Sequence, residues 1–279
     1  MFSFKITTSL ALAAATLLSV PELQAQTYRT AIPSEGYTLV WHDEFDGEQV
    51  LDRNDWDMLV TEPGRFNSQL QYYTDRPVNG KNSVEVVDGT LRINCFKEGD
   101  RVYSGRLYCR KDSGWHKGIF ETRIRLPKGK GTHEAFWMLP VINENNHDKW
   151  PRGGEVDILE VVGFNPNYTT SSIHCEAYNH RKKNHPTAGV LTPGADEGFH
   201  VYTLEWTDDC LLTYVDGKQV FRYDNDGKGD VSTWPFNKPF FIVLSLAWGG
   251  EWAGSKGIDE SALPTTMEID YIRVFQKQQ

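Results

Sequence analysis

Apolar residues along most of this chain recur at every second position, and helical spacing is scarce beyond the first stretch. The runs Ser83-Val84-Glu85-Val86-Val87 and Thr90-Leu91-Arg92-Ile93-Asn94-Cys95-Phe96 flank Asp88-Gly89. Two β-rich runs joined by Asp-Gly predict a hairpin with a type I′ turn. The pattern returns at Leu211–Val215, Asp216-Gly217 and Lys218–Tyr223. Further strands are predicted at Gly118–Leu126, Ala135–Leu139, Glu155–Val162, Ser171–Tyr178, His200–Trp206, Phe240–Ala247 and Met267–Gln276. Many short strands divided by turn residues predict an all-β fold, an antiparallel β-sandwich. No repeat, low-complexity tract or composition shift divides the chain.

The N-terminus breaks this pattern. Lys5 precedes the apolar stretch Ile6–Val20, then Pro21 and Leu23-Gln24-Ala25. A basic start, an apolar core and a small residue at the end describe a signal peptide over residues 1–25. The stretch is short against the roughly 20 residues of a membrane span, and no later segment is apolar enough to cross. Residues 26–279 are then one domain, secreted or periplasmic, read as a monomer with no membrane partner. Cys95, Cys109, Cys175 and Cys210 match no zinc spacing. They form two disulfides or remain buried free thiols.

Charge narrows the partners. The net charge of −9 disfavours nucleic acid, which needs a basic surface. The 9 Trp, 12 Tyr and 14 Phe fit either a core or a cleft that stacks on sugar rings.

The candidate chemistry lies in Trp150-Pro151-Arg152-Gly153-Gly154-Glu155-Val156-Asp157-Ile158-Leu159-Glu160. Residues two apart on a strand share a face, so Glu155 and Asp157 point together while Glu160 has the wrong parity. One extra residue, a β-bulge, restores it. Three acids in a row otherwise filled with Val, Ile and Leu suit catalysis; a solvated face or a calcium site are the alternatives. A retaining glycosidase needs two carboxyls about 5–5.5 Å apart, one nucleophilic and one protonated. A third acid between them raises a neighbour's pKa.

Gly154-Glu155-Val156-Asp157-Ile158-Leu159-Glu160 resembles the Glu-x-Asp-x-x-Glu signature of glycoside hydrolase family 16, in its bulged, laminarinase-like form. The resemblance extends to Leu39–Phe45, Asn67–Thr74, Ile119–Pro127, Ala135–Pro140 and Met267–Phe275. It implies a jelly-roll sandwich with a concave substrate cleft. By position it makes Glu155 the nucleophile, Asp157 its assistant and Glu160 the acid/base. His174 matches a cleft histidine. Trp150, Trp137, Asn67, Trp248, Trp252 and Trp115 are candidate substrate contacts. The resemblance further implies a structural calcium held by Glu44, the carbonyl of Gly89 and Asp270, with no cofactor for catalysis. The acids Glu268 and Asp270 around Ile269, and the run Arg181-Lys182-Lys183, are read as decoys, the latter a solvated loop.

The chain also departs from the pattern. His133-Glu134-Ala135-Phe136-Trp137 stands where laminarinase-like relatives often carry Trp-Pro-Ala-Phe-Trp, and Lys117-Gly118-Ile119 replaces a Tyr-Gly-Arg segment. The expected partner is therefore a β-glucan, β-1,3 or mixed β-1,3/1,4-linked, with a lean to the mixed-linkage polymer. A hydrolase of agar or carrageenan is the alternative, and a non-catalytic glucan-binding protein a further one.

Overall fold

The computed structural model describes residues 29–46, 51–142 and 147–278. The predicted signal peptide, residues 1–25, lies outside them. In chain order the strands are β1 (Tyr37–Asp43), β2 (Trp56–Met58), β3 (Tyr72–Tyr73), β4 (Val84–Val87), β5 (Thr90–Glu98), β6 (Arg101–Ser104), β7 (Arg106–Cys109), β8 (Gly118–Arg125) and β9 (Thr132–Pro140). They continue with β10 (Glu155–Val162), β11 (Tyr168–His174), β12 (Thr187–Leu191), β13 (His200–Trp206), β14 (Cys210–Val215), β15 (Lys218–Asp224), β16 (Phe240–Trp248) and β17 (Thr265–Lys277). One short helix, α1 (Gly250–Ala253), follows β16 directly.

Two sheets form the sandwich that the alternation predicts, a jelly roll as the resemblance implies. The first runs β15-β14-β13-β8-β17-β5-β6-β3, with β1 on β17 and β4 on β5; the second runs β12-β11-β10-β9-β16-β7-β2. Both Asp-Gly hairpins form: Asp88 and Gly89 have φ 52° and 70°, and Asp216 and Gly217 have 49° and 74°. Positive φ at both central residues is what a type I′ turn requires. The predicted strand Ser171–Tyr178 is corrected. β11 begins at Tyr168 and ends at His174, because Cys175 N–H bonds Tyr178 O at 2.7 Å and turns the chain. The short strands β2, β3, β6, β7 and β12 carry too few residues for alternation to mark them.

Between the sheets lie fully buried side chains such as Phe120, Ile124, Phe136, Met138, Leu244 and Ile269. The four cysteines are buried free thiols. Burial pushes Cys95 up to about 12 and Cys109 well above its usual range, so neither supplies a reactive thiolate near neutral pH. Among the described residues no helix is long and apolar enough to cross a membrane.

In the same sheet the two acids expected to hold calcium, Glu44 and Asp270, are ion-paired. Arg273 donates from Nε and Nη2 to the two Glu44 oxygens at 2.9 and 2.7 Å, and Arg123 Nη1 lies 2.6 Å from Asp270 Oδ2. A thermal melt with and without EDTA tests the calcium expectation.

Candidate active site

The outer face of the second sheet carries the site. On β10, Asp157 stands opposite Ser172 of β11, but Glu160 stands opposite Thr170, so three steps on one strand meet two on the other. The shift recurs against β9, where Asp157 pairs with Trp137 and Leu159 with Phe136. This is the predicted bulge. It lets Glu160 line the same cleft as Glu155 and Asp157, while Val156 and Leu159 go into the core. The Gly pair ahead of them is steric. Gly154 has φ 93°, and a Cβ there would sit 2.8 Å from Pro235.

Two adjoining hollows of about 470 and 290 Å³ meet at the acids, and Glu155 and Glu160 line both. Asp157 is 2% exposed and hydrogen-bonds Glu155. Its Oδ2 lies 3.3 Å from His174 Nε2, close enough for charge attraction but out of hydrogen-bond alignment. Glu155 Oε1 is 3.9 Å from the same nitrogen. The predicted cleft histidine thus sits against both acids, on the strand and at the position expected.

The three carboxyls do not ionise alike. Burial, then the charge of Asp157, pushes Glu155 well above the usual carboxylate range. Burial, then Glu160, does the same to Asp157. Burial would raise Glu160 too, but a hydrogen bond from His133 and the charges of His133, His174 and His185 outweigh it and hold Glu160 below. In the free site, protons therefore favour the Glu155–Asp157 end of the row.

Aromatic neighbours divide into two groups. Trp137, on the cleft face of β9, donates Nε1 to Ser245 Oγ at 3.2 Å and carries the Arg106 guanidinium 4.5 Å from its ring. Trp150 lines the cleft, stacked on His180 at 5.0 Å. Arg181 sits 4.6 Å over the Trp150 ring, so the run read as a solvated loop contributes one cation to the cleft wall. Trp252, 40% exposed, lines the larger hollow, and Asn67 lines both.

Two tryptophans are corrections. Trp248 is 0% exposed and lies in the main core. It has the parity of Leu244 and Leu246 on β16, opposite to the cleft-facing Ser245. Trp115 is 7% exposed and packs against Trp41, 5.3 Å away, and Phe120, 6.2 Å away, away from both hollows. Neither can stack on a sugar.

The loops around the acids are tied to one another. Glu251 N–H bonds Asn67 O at 2.9 Å, and Ser68 Oγ donates to Glu251 Oε1 at 2.9 Å. Gly250, φ 83°, makes this approach possible, since a Cβ would meet Asn67 O at 2.6 Å.

Sequence reasoning missed His133, Arg106, His180, His185 and Gln69, all of which line the cleft. His133 shares strand parity with Ala135 and Trp137, a signal that was available. The others come from strand β7 and from loops, where no period marks a face. Glu134, the neighbour of His133, turns into the core, where burial pushes its carboxyl up to about 8.

The chain matches the family model "Glycosyl hydrolases family 16" over residues 71–273. A beta-glucanase of Rhodothermus marinus is 38% identical over 247 residues, covering 86% of this chain and 85% of the relative. A glucan endo-1,3-beta-glucosidase of Cryptopygus antarcticus is 34% identical, covering 85% and 91%. The crystal structure of SCLam, a non-specific endo-beta-1,3(4)-glucanase, superposes with a TM-score of 0.81 at 37% identity, over 89% of this chain and 94% of that one. The bulged row of acids, the sandwich that carries it and these likenesses agree: the chain belongs to glycoside hydrolase family 16.

Proposed function

We propose that this chain is an endo-β-glucanase that cleaves β-1,3 and mixed β-1,3/1,4-glucan with retention at the anomeric carbon. The observation that carries the reading is the β10 bulge, which brings Glu155, Asp157 and Glu160 into one cleft. The relatives named for action on such glucans support the substrate class. The cleft also lines up sugar-compatible surfaces, Trp137, Trp150 and Trp252, with the polar Asn67 and Gln69.

In the first half-reaction Glu155 attacks C1 as the glycosidic bond breaks, and Glu160 gives its proton to the leaving oxygen. In the second, water adds to C1, its proton returns to Glu160, and the bond to Glu155 breaks. Asp157 holds Glu155 through their hydrogen bond. No catalytic cofactor takes part, as in the family. The free site holds Glu155 above its usual range and Glu160 below it. Substrate entry must therefore favour a proton on Glu160 over one on Glu155.

Reducing-sugar release on laminarin, barley β-glucan, lichenan, agarose and carrageenan tests the substrate. The first three are expected to be cut, and exclusive cutting of the last two would overturn the reading. Arg106 and Arg181 in the cleft are the reason to include sulfated polymers. Proton NMR of a fresh digest should show the β-anomer first; initial α-anomer means inversion.

Export to the periplasm or medium belongs to the same proposal, supported by the leader pattern of residues 1–25. One chain is proposed as the working unit, because the acids and the cleft walls described here all come from it. Fractionation of expressing cells and size-exclusion chromatography test these two points.

A further inference from the structure

Strand β9 sends His133, Ala135 and Trp137 to the cleft. The Nε2 of His133 lies 3.0 Å from Oε1 of Glu160, and the two side chains are only 15% and 16% exposed. The imidazole is wedged in place, with Trp252 of α1 meeting it edge-on at 5.0 Å and 71°. A hydrogen bond between an imidazole and a carboxylate is charge-assisted and orients both groups. Here it occupies one carboxyl oxygen and leaves Oε2 as the oxygen free to carry the exchangeable proton.

We propose that His133 is a positioning residue for Glu160, holding Oε1 so that Oε2 faces the leaving group and carries the proton. The inference rests on reading Glu160 as the acid/base. When Glu160 loses its proton to the leaving oxygen, the new carboxylate accepts from His133 N–H. When water later returns a proton to Glu160, the same hydrogen bond persists, so His133 ends the cycle unchanged.

Other charged groups face this pair. Glu155 and Asp157 share its strand, and His174 comes from β11. His180 and His185 come from the loop after β11, Glu251 from α1 and Arg106 from β7. His174 and His185 act on Glu160 through their charge alone, whereas His133 also hydrogen-bonds its carboxyl.

The test separates positioning from packing by leaving group. A glucan needs its leaving oxygen protonated; a dinitrophenyl β-laminaribioside does not. His133→Phe keeps a ring but removes the N–H. It should lower kcat/KM on barley β-glucan about tenfold or more and on the aryl glycoside less than about twofold. His133→Gln, which keeps a donor, should recover part of the loss. Carbon-13 NMR of the Glu160 carboxyl should show its midpoint moving upward in His133→Phe, since the contact that holds it down is gone. Equal losses on both substrates, or unchanged glucan hydrolysis in a folded variant, would overturn the proposal. If His133→Phe does not fold, the leaving-group comparison in His133→Gln decides. Glu160→Ala in the same assays separates the two readings. If it hydrolyses glucan normally, the acid/base assignment falls; if it is inactive while His133→Phe is normal, only the role of His133 falls.

Discussion

Glu155→Gln and Glu160→Gln are each expected to lower kcat on glucan by about a thousandfold or more while the melting temperature stays within a few degrees. The amide has neither the charge to attack C1 nor the proton to give, and acid–base assistance alone is worth about 10²–10⁴. Azide tells the two apart. In Glu155→Ala it replaces the missing nucleophile and should yield an α-glycosyl azide. In Glu160→Ala it replaces water in the second step and should yield a β-glycosyl azide, provided the first step is driven by a good leaving group. The opposite pairing would reverse the roles, and wild-type-like turnover in either variant would remove that residue from the chemistry. Asp157→Asn should be slowed but not silenced. Burial is the main cause of the raised Glu155, and the Asp157 charge is the next. Glu155 works ionised, so its raised pKa places the acid limb of kcat/KM above the ordinary carboxylate range. Removing the neighbouring charge lowers that pKa, and the limb should move to lower pH.

The second large effect separates two tryptophans that look alike in sequence. Trp248 and Trp252 stand four apart in Ala247-Trp248-Gly249-Gly250-Glu251-Trp252. Trp248→Ala empties a fully buried site and should cost about 3–5 kcal/mol. Against the roughly 5–15 kcal/mol of a typical domain this is a large share, and a urea melt should show it. Trp252→Ala should leave that melt unchanged and raise KM on polysaccharide several-fold, because its ring is exposed in the cleft, where it can stack on a sugar. If Trp248→Ala shifted KM with no loss of stability, the core placement would be wrong. The reason for the contrast is local. β16 ends at Trp248, and Gly249, φ 67°, leads into α1 at Gly250, φ 83°, before Trp252 is reached.

The sandwich and the acids were legible from local patterning alone. Both rest on short-range rules: side chains alternate along a strand, Asp-Gly closes a hairpin, and an acid of the wrong parity needs a bulge. Glu155, Asp157 and Glu160 were therefore legible before any fold was known, and His174 was legible from the resemblance. Tertiary structure decided which aromatic rings meet the cleft. β16 is buried on both faces, so its composition does not announce that Ser245 looks outward while Trp248 looks inward. It decided the partners of Glu44 and Asp270, because Arg273 and Arg123 reach them only once β1, β8 and β17 are paired. It also brought His133 to Glu160 across 27 positions of chain. Strand parity specifies the side of a sheet a residue takes. What lies on that side depends on which strands pair and which loops fold over them, and those contacts are long-range.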